Sequence, residues 1–393
     1  MEPITIKLKQ HTPILHFQSN LADMGATLRA TELKPKLDKY LLANYEILPE
    51  WKIGKTDALD YKLKISVKGE NKKLKTNGKP PMFFGENKTP VKSSSKKEEP
   101  DVAIEILCFI DGLQQCISKI KNWNRFFFIC NIGTRQSKGY GSFTQLEPQT
   151  HLPSVGDIIK AENNISYRVD SFFSPNVLSW NEVMQRISDV YKCFRSGINE
   201  NGLYFKSLMF AYAKKEGKWW DKRIIKEILA PRKLEEHRRR HQNRTDPDPL
   251  AEKPAVEKGR DPYPMFRDNL GLSTVEIWRD YDFKIIKRDG GDIKRFKSPL
   301  LFKPVLVGGC WRVYILHREI PQKYKNNTFS VNKSIKFMTF GNFSMKNYLN
   351  YVLADIENYN RYVTANDKDA RERMKNIIKD LNGIKNNFKK ISD

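Results

Sequence analysis

Apolar and polar residues alternate from the first residues of the chain. Ile4, Ile6 and Leu8, then Ile14, Leu15 and Phe17, predict a strand with a break near Pro13. Tyr61, Leu63, Ile65 and Val67 repeat the two-residue period. The apolar run Val102 to Ile110 and the stretch Ser142 to Leu146 predict a third and a fourth strand. Helical spacing fills the gaps. Leu33, Leu37, Tyr40 and Leu41 follow Thr31, a good N-cap, with Pro35 placed near a helix start. Leu113, Cys116, Ile117, Ile120, Trp123 and Phe127 mark one apolar face of a second helix after Asp111-Gly112. The resulting order, β-α-β-β-α-β, is that of a ferredoxin-like unit. Within it, residues 68–100 are dominated by Lys, Gly, Asn, Ser and Pro and read as a mobile basic surface loop. The Met82-Phe83-Phe84 patch is out of character there.

The second half is less regular. Short strands are predicted at Asp157 to Ile159 and Tyr167 to Phe173. A helix is predicted over Leu178 to Phe194, and a basic one over Lys214 to Lys233. The densest cationic cluster, Arg238-Arg239-Arg240, follows, and the proline-rich segment 245–264 reads as a linker. Strand patterns resume at Val275 to Trp278 and Tyr281 to Lys287, with a hairpin turn at Asp289-Gly290-Gly291-Asp292. Ile293 to Val307 and Trp311 to Leu316 flank a second turn at Gly308-Gly309. Ser344 to Tyr362 and Lys368 to Phe388 are predicted to close the chain as helices. The expected fold class is α+β. Residues 1–175 form an N-terminal module, 176–264 a basic helical region with its linker, and 265–393 a second module with C-terminal helices.

Charge narrows the partner. The 393 residues carry 70 Lys+Arg against 46 Asp+Glu, a net +24, which favours a polyanion. A solvated lysine-rich surface is the competing explanation. With 39% hydrophobic residues, 22 Phe, 16 Tyr and 7 Trp, the chain can build a sizeable core. No apolar run is long enough to span a membrane, and MEPITIKLKQ reads as a strand rather than a signal or transit peptide. Cys108, Cys116, Cys130, Cys193 and Cys310 are scattered without metal-ligand spacing. They point to a reducing cytoplasm and to neither zinc nor disulfides. No Walker loop, zincin motif or nucleophile elbow occurs, so neither a nucleotide cofactor nor a metal is expected.

The candidate chemistry lies in Asn131 to Phe143. Gly133, Gly139 and Gly141 surround Arg135 and Lys138. Glycine tolerates positive φ and presents no Cβ, so backbone N–H groups could cradle a phosphate, with the two cations reinforcing the site. Tyr140 could stack on a base. Arg29 and Lys34 stand where the first helix begins and offers free N–H groups.

A loop of this kind after the second helix resembles that of the RAMP superfamily of CRISPR-associated RNA-binding proteins. The family loop is rich in glycine and arginine and ends in Gly-aromatic-Gly-small-apolar; Gly139-Tyr140-Gly141-Ser142-Phe143 is similar to that ending. Arg29-Ala30-Thr31-Glu32-Leu33-Lys34 resembles the family's first strand-to-helix junction, departing from it at Lys34-Pro35-Lys36-Leu37-Asp38. Arg295-Phe296-Lys297-Ser298-Pro299-Leu300 resembles the second module of the large type III-B subunit that carries two RAMP modules. The likeness covers residues 1–175 and 265–340. It implies two ferredoxin-like modules in a structural subunit of a type III effector complex, without catalysis of its own, taking part in antiviral RNA targeting. Guide CRISPR RNA, target RNA and other RAMP subunits are the implied partners. Arg29, Lys34, Gly133, Arg135, Lys138, Gly139, Tyr140 and Gly141 are the RNA-contacting residues, with Arg238, Arg239 and Arg240 as a further basic cluster.

Two alternatives stay open. Some RAMP proteins cut repeat RNA with a histidine base, for which His11 and His16 are available. Others cut target RNA with an aspartate in the loop after the first strand, where Asp23 lies; a turn aspartate accounts for the same residue. Alternatively the chain is a basic protein-interaction scaffold with Arg238 to Arg240 on a solvated helix.

Overall fold

The computed structural model describes residues 2–15, 28–67, 72–73, 87–89, 102–146, 166–169, 178–218, 220–240, 262–273, 275–278, 283–289, 295–307, 309–332, 335–339, 341–356 and 363–387. The chain divides into two compact units. The first takes residues 1–184, 301–316 and 389–393, and the second 185–300 and 317–388.

The first unit holds β1 (Ile4–Gln10), α1 (Ala30–Asn44), β2 (Tyr61–Val67), β3 (Val102–Cys108), α2 (Asp111–Ser118), α3 (Asn124–Phe128) and β4 (Phe143–Gln145). The strands lie in the order β2-β3-β1-β4, every neighbouring pair antiparallel. The two-residue period sets the register: Ile104 faces Ile6 on one side and Ile65 on the other. The alternation thus puts Ile6, Leu8, Val102, Ile104 and Ile106 on one face. They pack there with Leu33, Leu37 and Leu41 of α1, Leu113 and Ile117 of α2, and Phe126 to Phe128 of α3. Each such burial stabilises the fold by about 1.5–3 kcal/mol relative to an exposed side chain.

Local details depart from expectation. Helix α1 begins at Ala30, with Arg29 rather than Thr31 at the N-cap and no side-chain cap. Pro35 lies inside the helix, where it forgoes one backbone hydrogen bond. The long amphipathic run after Asp111 is two helices, because the chain turns at Lys119 to Trp123; the Asn122 side chain accepts from Asn124 N–H at 3.0 Å. Lys72–Lys73 and Asn87–Thr89, expected in a loop, are short strands in one sheet with Ile14–Leu15. The Met82-Phe83-Phe84 patch and Asp157 to Ile159 lie outside the described residues.

A hairpin from far along the chain completes this unit. Its strands are Leu300–Val307 and Cys310–His317, turning at Gly309 with φ 77°. The second strand pairs antiparallel with Ser166–Val169. Val305, Tyr314 and Leu316 join the core, and the Tyr314 ring meets Phe128 edge-on with centroids 4.7 Å apart.

In the second unit, ion pairs join two helices, Trp180–Arg195 and Lys368–Asn387. The Arg186 guanidinium reaches both oxygens of buried Asp380, at 2.9 and 2.7 Å, and Arg373 grips Asp189 and Glu200. Tyr212 anchors an aromatic cluster with Phe266, Phe343 and Tyr348. The basic stretch expected as one helix over Lys214 to Lys233 is three: Leu208–Lys215, Asp221–Leu229 and Pro231–Arg240. The first break falls at Gly217, which adopts φ 62°. Gly290 to Asp292 of the expected hairpin turn lie outside the described residues. Phe283–Asp289 pairs with Val275–Trp278 and Thr328–Val331, whereas Arg295–Phe296 pairs with Leu272–Ser273.

Candidate nucleic-acid interface

The segment between α3 and β4 is a knot of hydrogen bonds to its own chain. Thr134 N–H donates to Leu15 O at 2.7 Å, Gly141 N–H to Pro13 O at 2.8 Å and Ile132 N–H to Gly141 O at 2.9 Å. Thr12 sits at the centre. Its hydroxyl donates to Gly139 O at 2.6 Å and accepts from Ser142 N–H at 3.0 Å. Of the amides expected to cradle a ligand, the Thr134, Gly139 and Gly141 N–H groups donate to carbonyls of this chain.

The glycines serve that knot. Gly133, Gly139 and Gly141 have φ of 89°, 87° and 70°. A Cβ at Gly133 would lie 2.6 Å from Leu15 O, and one at Gly141 would collide with the Ile132 carbonyl. Close approach of two stretches of the same chain requires glycine at Gly133 and Gly141.

Two lysines clasp the segment. Lys303, on the hairpin, is buried; its Nζ donates to Phe143 O at 2.9 Å, Cys130 O at 3.1 Å and Asn131 Oδ1 at 3.3 Å. It thereby holds both feet of the loop. Burial pulls its ammonium down to about 7. Lys36 of α1 reaches Asn131 O at 2.8 Å and Gln136 Oε1 at 2.7 Å. Asn131 Nδ2 and Ser142 Oγ fasten the loop to the hairpin at Phe302 O and Pro304 O, at 2.9 and 2.7 Å. Neither lysine was singled out from the sequence. Lys303 did leave a signal, a lone cation inside the apolar run Leu300 to Val307.

His11 sits beside this clasp. Its Nδ1 accepts from Leu306 N–H at 3.1 Å, so Nε2 carries the proton and donates to Thr144 Oγ1 at 2.8 Å. Burial, followed by the charges of Lys303 and Lys9, holds its pKa well below 6.5. With both ring nitrogens engaged, His11 is not a general base. A lowered pKa fixes the sign of its contribution. Above pH 6.5 neither state binds the proton; below it the unfolded chain binds one first and stability falls. His11→Gln is expected to remove a loss of about 1.4 kcal/mol per pH unit below pH ~6.5, read from urea midpoints at acid and neutral pH.

The predicted contact residues separate into groups. Gly133 to Lys138 is half-buried, whereas Gly139, Tyr140 and Gly141 are buried. Tyr140, 7% exposed, is no stacking platform: its hydroxyl hydrogen-bonds the Arg135 guanidinium, and burial raises its pKa. Arg135 itself stands at φ 52°, a left-handed corner. Lys34 turns inward, with Nζ at 2.8 Å from Asp38 Oδ2, 2.7 Å from Leu59 O and 4.2 Å from the Tyr61 ring centroid. Arg29 is half-buried at the start of α1. Arg238, Arg239 and Arg240 end a helix in the second unit; exposed Arg239 pairs with Glu235 at 3.5 Å. Asp23 and His16 lie outside the described residues. No cluster of metal-ligating side chains occurs among the described residues, and no described helix is long and apolar enough to cross a membrane.

Family comparisons identify the chain. The Cmr1 N-terminal domain model matches residues 1–198 and the Cmr1 C-terminal domain model residues 204–385. These matches define a RAMP-type subunit of type III-B CRISPR effector complexes. Within that class, the chain belongs to the Cmr1 family. No curated protein sequence matches it. The crystal structure of apo Cmr1 from Pyrococcus furiosus aligns at 12% identity over 82% of this chain and 91% of its own, with a TM-score of 0.35.

Proposed function

We propose that this chain is an RNA-binding structural subunit of its effector complex. The half-buried nose of the loop, Gly133 to Lys138, lies along the guide RNA backbone. The β-α-β-β-α-β order and the β2-β3-β1-β4 sheet support reading the first unit as ferredoxin-like. One observation carries the RNA reading. Between Asp111 and Glu147 the sequence holds no carboxylate but five cations, Lys119, Lys121, Arg125, Arg135 and Lys138, and the loop within that stretch is clasped by Lys36 and Lys303. A fixed, acid-free corner offers positive potential without reading bases, which suits a subunit that must accept any guide sequence.

The account requires electrostatic binding. Affinity of the full chain for single-stranded guide RNA is expected to fall steeply between low and moderate salt. The logarithmic slope should be about 0.7 for each phosphate neutralised. Weak, salt-insensitive binding would instead favour the protein-interaction scaffold.

A further inference from the structure

The sheet of the first unit packs its helices against one face. Its other face is read directly from the register. Thr5, Lys7 and Lys9 of β1 and Lys62, Lys64 and Ser66 of β2 are all exposed there. Lys64 and Thr5 flank Glu105, and Ser66 and Lys7 flank Ala103. Glu105 is the one carboxylate at these positions, with Oε2 3.1 Å from Lys64 Nζ. Glu105 thus offsets one of the four lysines at these positions. At its end stands Phe109, 56% exposed, with Lys62 Nζ 5.3 Å from its ring centroid.

Lysines on an exposed edge strand are a common guard against edge pairing, which covers Lys62 and Lys64 on β2. It does not cover Lys7 and Lys9, because β1 is an interior strand between β3 and β4. Nor does it account for a large aromatic side chain left in solvent beside a lysine. A cationic sheet face with an exposed ring is the arrangement that neutralises a single-stranded backbone and stacks a splayed base.

We infer that this open face binds single-stranded RNA, with Lys7, Lys9, Lys62 and Lys64 on phosphates and Phe109 stacked on a base. The surface is distinct from the loop and stands independently of it. The test uses the full chain and a fluorescein-labelled oligouridine. Phe109→Ala, and separately Lys62→Gln with Lys64→Gln, are expected to weaken binding about fivefold or more with unchanged unfolding midpoints. Cross-linking to a 5-iodouridine oligomer, mapped by mass spectrometry, should mark the peptide carrying Phe109. Unchanged affinity in both variants overturns the inference. So do cross-links confined to residues 131–143, which would leave the loop reading standing. Cross-links confined to the Phe109 peptide would uphold the inference and remove the loop.

Discussion

Lys303→Met is expected to destabilise the first unit by about 3 kcal/mol at pH ~9, because the oxygens around Lys303 lose the two N–H donors that its neutral amine keeps there. The substitution keeps the length and apolar stem of the side chain, so little of the loss comes from a cavity. It comes from Phe143 O, Cys130 O and Asn131 Oδ1, which Lys303 Nζ serves at 2.9, 3.1 and 3.3 Å. The effect depends on pH in a known direction. Burial pulls Lys303 down to about 7 from 10.5 in the unfolded chain. Below pH ~7 both states hold the proton, and the wild-type fold carries the full cost of a buried cation. As pH rises toward 10.5 the native state has released a proton that the unfolded state still binds, so the wild type gains stability and the variant does not. Denaturant midpoints of the two proteins at pH ~6 and ~9 therefore diverge with rising pH. A constant gap would mean that Lys303 does not titrate between them.

Gly141→Ala is expected to cost about 3 kcal/mol or more, the sum of left-handed strain and a steric collision. The collision is with the backbone carbonyl of Ile132, which cannot swing aside as a side chain end could. Ile132 N–H also donates to Gly141 O at 2.9 Å, so the added methyl group opens the bond that closes the loop. Gly54→Ala is the control. Gly54 has φ 57°, but nothing lies within 4 Å of its added Cβ, so only the strain of about 1 kcal/mol remains. Equal unfolding shifts for the two variants would show that crowding at Ile132 is not what holds the loop.

The sequence made the first unit legible for a physical reason. Its strands are half-buried, so Ile4 to Leu8 and Tyr61 to Val67 keep a clean two-residue period, and α1 keeps an apolar face. The split between α2 and α3 was hidden because Ile120 and Trp123, outside both helices, are buried and extend the helical spacing across the turn. The hairpin's return to the first unit leaves no local trace, since Val313 pairs with Val169, 144 residues earlier in the chain. In the candidate site, the glycines and the Gly139-to-Phe143 ending were visible, but the chain's own carbonyls that Gly133 and Gly141 approach were not. Positive φ looks the same in sequence whether it admits a phosphate or the chain's own carbonyl, as at Gly133 and Leu15. Tyr140 was misplaced for a related reason: its burial depends on tertiary packing around Arg135.

The most direct test of the RNA reading replaces the two cations of the loop nose and leaves its clasp intact. Arg135→Ala with Lys138→Ala should leave the protein folded at a cost of about 1–3 kcal/mol, since the buried Tyr140 hydroxyl loses its Arg135 partner. RNA affinity at moderate salt should fall about tenfold or more, and the salt slope should become shallower by about 1.4, two phosphate contacts having gone. An intact fold that binds RNA with the wild-type affinity and the wild-type slope would contradict the account.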